Sequence, residues 1–105
     1  MSVVDLPIVV QKFGGTSLAD PKRLDACAGR TAESARNQRV VVVVSAMGDT
    51  TDWLTRLARE IAPNPDRRSL DMLLATGEQV SAALMAIALR ERGVNAMPLA
   101  GSEAG

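Results

Sequence analysis

Two apolar runs dominate the first half of the chain. Leu6 to Gln11 carries Ile8-Val9-Val10, and Val40 to Val44 is an unbroken valine run continued by Ser45-Ala46. Continuous rather than alternating apolar character predicts strands buried on both faces, as in a parallel sheet covered by helices. A third stretch, Ala96 to Ala100, is interrupted by Pro98, which predicts a short strand or one near an edge.

The segments between them repeat with helical spacing. Asp20 is placed to cap a helix and Pro21 suits its first turn. Leu24, Cys27, Ala28, Thr31, Ala32 and Ala35 then form one small-residue face. After the valine run, Gly48-Asp49-Thr50-Thr51-Asp52 starts a second helix, with Trp53, Leu54, Leu57, Ala58 and Ile61 on one face and Pro63 and Pro65 ending it. Asp49, Thr50 and Asp52 read as its caps. Ser69 is expected to cap a third helix, Leu70 to Ala75, with Gly77 breaking the pattern. A fourth, about Glu78 to Arg92, turns Val80, Ala83, Leu84, Ile87 and Ala88 inward and closes at Gly93. The order β-α-β-α-α-α-β predicts an α/β fold whose first three elements form a right-handed βαβ unit. Three strands make a thin sheet with open edges, so the chain reads as the front part of a larger domain.

Composition narrows the chemistry. At 105 residues and 47% hydrophobic content the chain suffices for one small folded domain. Aromatic residues are only Phe13 and Trp53, so the core is aliphatic and alanine-rich. Twelve basic and twelve acidic residues are interspersed without a basic run, which argues against nucleic acid as a partner. The lone Cys27 excludes an intrachain disulfide and reads as a small core residue. The absence of histidine excludes a Ser-His-Asp triad and a histidine-ligated metal, and no metal site is expected. The N-terminus lacks a signal-peptide pattern, and no apolar stretch was expected to approach the roughly 20 residues of a membrane span, so a cytoplasmic protein is the default.

Polar segments fall at the carboxyl ends of the strands, where open α/β sheets bind ligands. Lys12-Phe13-Gly14-Gly15-Thr16-Ser17 follows the first strand, Ser45 to Asp52 the second, and Thr76-Gly77-Glu78-Gln79 opens the last helix. Paired glycines let a backbone approach an anion and aim N–H groups at it, and a lysine adds a point charge. An ordinary tight turn fits Lys12 to Gly15 equally well. Glu78 could hold a substrate ammonium or simply complement a helix dipole. Neither G-x-x-x-x-G-K-[ST] nor G-x-G-x-x-G occurs, which excludes a P-loop and disfavours a dinucleotide-binding domain.

Taken together, Lys12 to Ser17, Ser45 to Asp52, and Asp71-Met72-Leu73-Leu74-Ala75-Thr76-Gly77-Glu78-Gln79-Val80-Ser81 resemble the aspartate kinases of the amino acid kinase superfamily. The resemblance implies a three-layer αβα sandwich with a mainly parallel sheet. It implies transfer of the γ-phosphoryl group of ATP, with Mg2+, to the β-carboxylate of L-aspartate, at the head of lysine, threonine and methionine synthesis. In that scheme Lys12 is catalytic and neutralises charge on the moving phosphoryl group. Gly14 and Gly15 offer backbone N–H groups to the phosphates, and Ser17 and Thr16 orient the loop or touch substrate. Ser45 and Thr51 hydrogen-bond the aspartate, and Glu78 pairs with its ammonium.

Members of that family are much longer. The resemblance therefore implies that residues 1–105 are the N-terminal portion of a kinase domain, truncated before its catalytic aspartate, substrate-binding arginine and most of the nucleotide base site, and without regulatory ACT modules. Two other readings stand beside it. One is an inert fragment or assembly subdomain that forms a homo-oligomer or joins other kinase chains. The other is a sister kinase acting on another carboxylate.

Overall fold

The computed structural model describes residues 2–99. After a short 3-10 turn at Val3–Asp5, β1 (Ile8–Phe13) and β2 (Arg39–Val44) pair in parallel, Ile8 opposite Arg39 through to Phe13 opposite Val44. The first strand thus lies two residues later than its apolar run suggests. The ladder continues because Val43 and Val44 supply partners for Lys12 and Phe13, and at the other end the Pro7 carbonyl accepts the Arg39 N–H at 2.8 Å.

The helix α1 (Pro21–Ser34) joins the strands. The Asp20 carboxylate accepts the Arg23 N–H at 2.8 Å, and Pro21 fills the first turn, as the sequence indicated. Leu24, Cys27, Ala28 and Thr31 are buried on its inner face. Leu18, Met85 and Leu89 complete the core, and Phe13, Val42 and Val44 pack against it from the sheet. Gln11 also belongs to this covered face. Its amide donates to Ser34 Oγ at 2.9 Å, and its carbonyl accepts the Thr31 hydroxyl at 2.7 Å.

The helix α2 (Thr50–Ile61) departs from expectation on two counts. Asp49 holds the cap position, but its side chain makes no bond to the helix; the Thr50 hydroxyl instead donates to the Met47 carbonyl. Of the expected inner face only Leu54 is buried and Ala58 half-buried, while Trp53, Leu57 and Ile61 are exposed. The reason is that α2 packs mainly against one neighbour, α3.

The two helices expected beyond Pro65 are one, α3 (Arg67–Glu91). Its cap is Asp66, not Ser69: the Asp66 carboxylate accepts the Ser69 N–H at 2.9 Å, and this bond holds its pKa below the ordinary 3.8. Gly77 does not break the helix. It is buried, on a row with Ser81, Met85 and Leu89. The expected inward set is therefore corrected: Val80, Ala83, Leu84 and Ile87 are exposed and Ala88 half-buried. A helix apolar on nearly all sides hides which side faces the core. By length and composition α3 is also apolar enough to cross a membrane, contrary to the sequence expectation. It packs on α1 and α2, with 28% of its most apolar stretch buried. Gly93 ends it at φ +83°, with the Gly93 N–H on the Arg90 carbonyl and the Val94 N–H on the Leu89 carbonyl, both 3.0 Å.

The third strand expected over Ala96 to Ala100 is absent among the described residues, Ala100 lying outside them. Pro98 and the short Ala96 N–H to Val94 carbonyl bond bend the chain away from a ladder. The α/β class with parallel strands holds. Both α1 and α3 cover one sheet face, while Ile8, Val10, Val41 and Val43 on the other are exposed, so two of the three expected layers are present among the described residues.

Candidate functional site

The loop after β1 has sorted its polar groups. The Gly15 carbonyl accepts N–H groups from Leu18 at 3.2 Å and Gly48 at 2.9 Å, and the Thr16 carbonyl accepts from Ala19 at 3.4 Å. The Ser17 carbonyl takes the Cys27 thiol at 3.5 Å. Three successive carbonyls are thus tied to the protein. The N–H groups of Gly14, Gly15, Thr16 and Ser17 find no acceptor among the described residues. A run of adjacent free N–H groups on an exposed loop is the electrostatic shape that receives an anion.

Space is available there. A methyl group added to Gly14 would meet nothing within 4 Å. The loop is a pair of overlapping turns, closed by the Leu18 N–H on the Gly15 carbonyl and the Ala19 N–H on the Thr16 carbonyl, so the tight-turn reading and an open anion position at Gly14 both fit the residues. Lys12 lies within β1 rather than in the loop, exposed and on the same sheet face as Ile8 and Val10. That is the face that α1 and α3 leave open.

The loop after β2 is welded to the first. The Ser45 N–H donates to the Phe13 carbonyl at 3.1 Å, and the Gly48 N–H to Gly15 as above. Gly48 adopts φ +51°, a left-handed turn that glycine makes without strain. The hydroxyls separate by role: Thr50 is bonded to Met47, whereas Ser45 and Thr51 are exposed with no partner among the described residues.

The third segment meets these loops through α3. Gly77 packs against Ala46, Thr50 and Leu54, which brings the neighbouring Glu78 to the same end of the molecule. Glu78 stands near the middle of α3, exposed, and outside the four ion pairs among the described residues. The helix-dipole account of Glu78 is thereby removed, since no helix begins there. Sequence reasoning missed Gly77 as a packing residue; the small residue at Ala46 was the available signal. A shallow, open groove between the C-terminal half of α1 and the turn after α3, lined by Gly29, Glu33, Arg36, Arg92 and Val94, gathers none of these groups.

A parallel β-α-β unit with two joined loops at its carboxyl edge defines an α/β protein of the open parallel-sheet class. Residues 7–105 match the model of the amino acid kinase family, and the chain belongs to that family. It is a homologue of the aspartokinases. It is 52% identical over 99 residues to the aspartokinase of Geobacillus stearothermophilus and 48% identical to aspartokinase 2 of Bacillus subtilis, covering 93% of this chain and 24% of each relative. The Mycolicibacterium smegmatis aspartokinase is 50% identical over 101 residues, 95% of this chain and 24% of the relative. The crystal structure of aspartate kinase from Synechocystis superposes with a TM-score of 0.79 at 53% identity, covering 81% of this chain and 15% of that one. The chain thus spans about a quarter of the length of these curated relatives and corresponds to their N-terminal portion.

Proposed function

We propose that this chain supplies the phosphate-cradling and amino-acid-holding part of an aspartokinase active site. The reaction is attack of a β-carboxylate oxygen of L-aspartate on the γ-phosphorus of ATP. The new P–O bond gives 4-phospho-L-aspartate, and the bond to the β-phosphate breaks to release ADP. The observation that carries this reading is the joining of three segments at one sheet edge: free N–H groups from Gly14 to Ser17, unpaired hydroxyls at Ser45 and Thr51, and an unpaired carboxylate at Glu78.

Each group has a task that its chemistry suits. Gly14, Gly15 and Ser17 donate to phosphate oxygens, and Lys12 neutralises charge on the transferred group. Ser45 and Thr51 donate to the amino acid, while Glu78 takes its ammonium. Magnesium accompanies the nucleotide as part of the substrate. The family resemblance favours the cytoplasm, with no nucleic acid or membrane partner, and the exposed sheet face favours association with further kinase chains. Residues 1–105 would be the N-terminal portion of the kinase domain.

Calorimetric titration of the chain with MgATP and L-aspartate tests the reading. Lys12→Ala should weaken nucleotide binding about tenfold, the loss of one charge-assisted contact. Glu78→Gln should weaken aspartate binding but leave succinate, which lacks the ammonium, unaffected. Absence of binding by the wild-type chain, or stronger binding of glutamate or acetylglutamate, overturns the aspartate assignment. The coverage of a quarter of each relative favours a second reading for turnover, in which the chain alone binds without transferring phosphate. Phosphoaspartate formed by the isolated chain would refute that.

A further inference from the structure

Ala46 sits between two glycines from distant parts of the sequence. A methyl group on Gly15 would lie 2.9 Å from the Ala46 carbonyl oxygen and 3.2 Å from that of Gly48. On the other side, a methyl group on Gly77 would lie 2.9 Å from Ala46 Cβ, 3.3 Å from Thr50 Cγ2 and 3.8 Å from Leu54 Cδ1. Cβ atoms do not approach to 2.9 Å, so a side chain at residue 77 must displace its neighbours. Ala46 is itself 5% exposed and is backed by Gly15, so it moves only with its loop.

Helix propensity makes the glycine costly. In the interior of a helix, glycine is less favourable than alanine by about 1 kcal/mol. Its presence within α3 therefore calls for a local cause, and the contact with Ala46 and Thr50 is that cause. Those two residues belong to the Ser45–Thr51 segment, and Glu78 follows Gly77 directly.

We propose that Gly77 is a positioning residue, which sets the separation between the helix carrying Glu78 and the loop carrying Ser45 and Thr51. This rests on the aspartate-site reading above for the identity of the ligand, but not for the contact itself. A side chain at residue 77 pushes Ala46 and the Thr50 turn off α3. The strain passes to the Gly48 N–H to Gly15 carbonyl bond, which joins this loop to the phosphate loop. The phosphate loop feels the shift only through Gly15, which keeps its own turn bond from the Leu18 N–H, so the amino-acid half of the site is disturbed more than the phosphate half.

A size-swap cycle on the 105-residue chain tests this. Gly77→Ala should speed amide exchange at Gly48 and weaken L-aspartate binding, each about tenfold, with tripolyphosphate affinity changed less than about twofold. Adding Ala46→Gly removes the opposing Cβ and should restore both. A purely structural role predicts a shifted melting temperature with no selectivity between the ligands. The proposal is overturned if Gly48 exchange is unmoved by Gly77→Ala, or if the double variant is no better than the single. Should Gly77→Ala not fold, the double variant decides: near-native Gly48 exchange supports the proposal, and failure to fold overturns it. If the wild-type chain binds no aspartate, the functional reading alone falls, and the exchange cycle still decides the contact.

Discussion

Gln11 and Thr31 join β1 to α1 through a polar contact set into an otherwise aliphatic face. The Thr31 hydroxyl, on a residue only 2% exposed, donates to the Gln11 carbonyl, and Ser34 accepts from the same amide. Thr31→Val preserves shape but leaves that carbonyl without its donor, and should destabilise the chain by about 1–2 kcal/mol in urea unfolding. Replacing both partners, as Thr31→Val with Gln11→Leu, should recover most of the loss, because no buried acceptor is then left unpaired. A loss in the double variant equal to the sum of the two single losses would show that the pair is not coupled. At this scale the sequence was a partial guide. Thr31 was legible on the α1 face, but a glutamine at the end of an apolar run gives no sign that it faces inward. Lys12 was legible as a charge beside a glycine loop, yet its membership of the strand depended on Val43 and Val44 of the partner strand.

Two glycines of the α3 region differ in what they require of the backbone. Gly93 is needed for its dihedral: φ is +83°, and nothing lies within 4 Å of where a side chain would start. Gly93→Ala should therefore cost about 1 kcal/mol, through strain in the cap alone. Thermal unfolding would check it, and no loss of stability would mean that the cap relaxes to another turn. Gly77 has ordinary helical dihedrals and is needed for its lack of volume. Local sequence signals report the first kind of glycine well, as they reported the Asp20-Pro21 start of α1. They misreport the second, because a helix-internal glycine looks like a break unless the surface it touches is known. The same limit explains the inner face of α3. The apolar residues surround the helix, so only the packing against α1 and α2 selects Ser81, Met85 and Leu89 over Val80, Leu84 and Ile87.

The molecule as a whole is more extended than its length requires. Its radius of gyration is 15.7 Å, against about 13 Å for a compact domain of this size. The excess reflects helices stacked on one face of a narrow sheet, with Ile8, Val10, Val41 and Val43 left exposed on the other. Such a face should bind a hydrophobic dye in the native state. Val10→Thr with Val41→Thr should lower that fluorescence by about half without loss of helical circular dichroism, while unchanged fluorescence would assign the dye to the exposed side of α3. Through this shape runs α3, about 37 Å of unbroken helix in a molecule 56 Å long. Helices fray from their ends, and opening there reaches only the terminal turns. Glu78, well inside both ends, stands where the rod opens last. On warming, the backbone beneath that carboxylate should keep its place while Arg67 and Glu91 are already exchanging with water, so that the position proposed to take the ammonium fails only when the whole fold does.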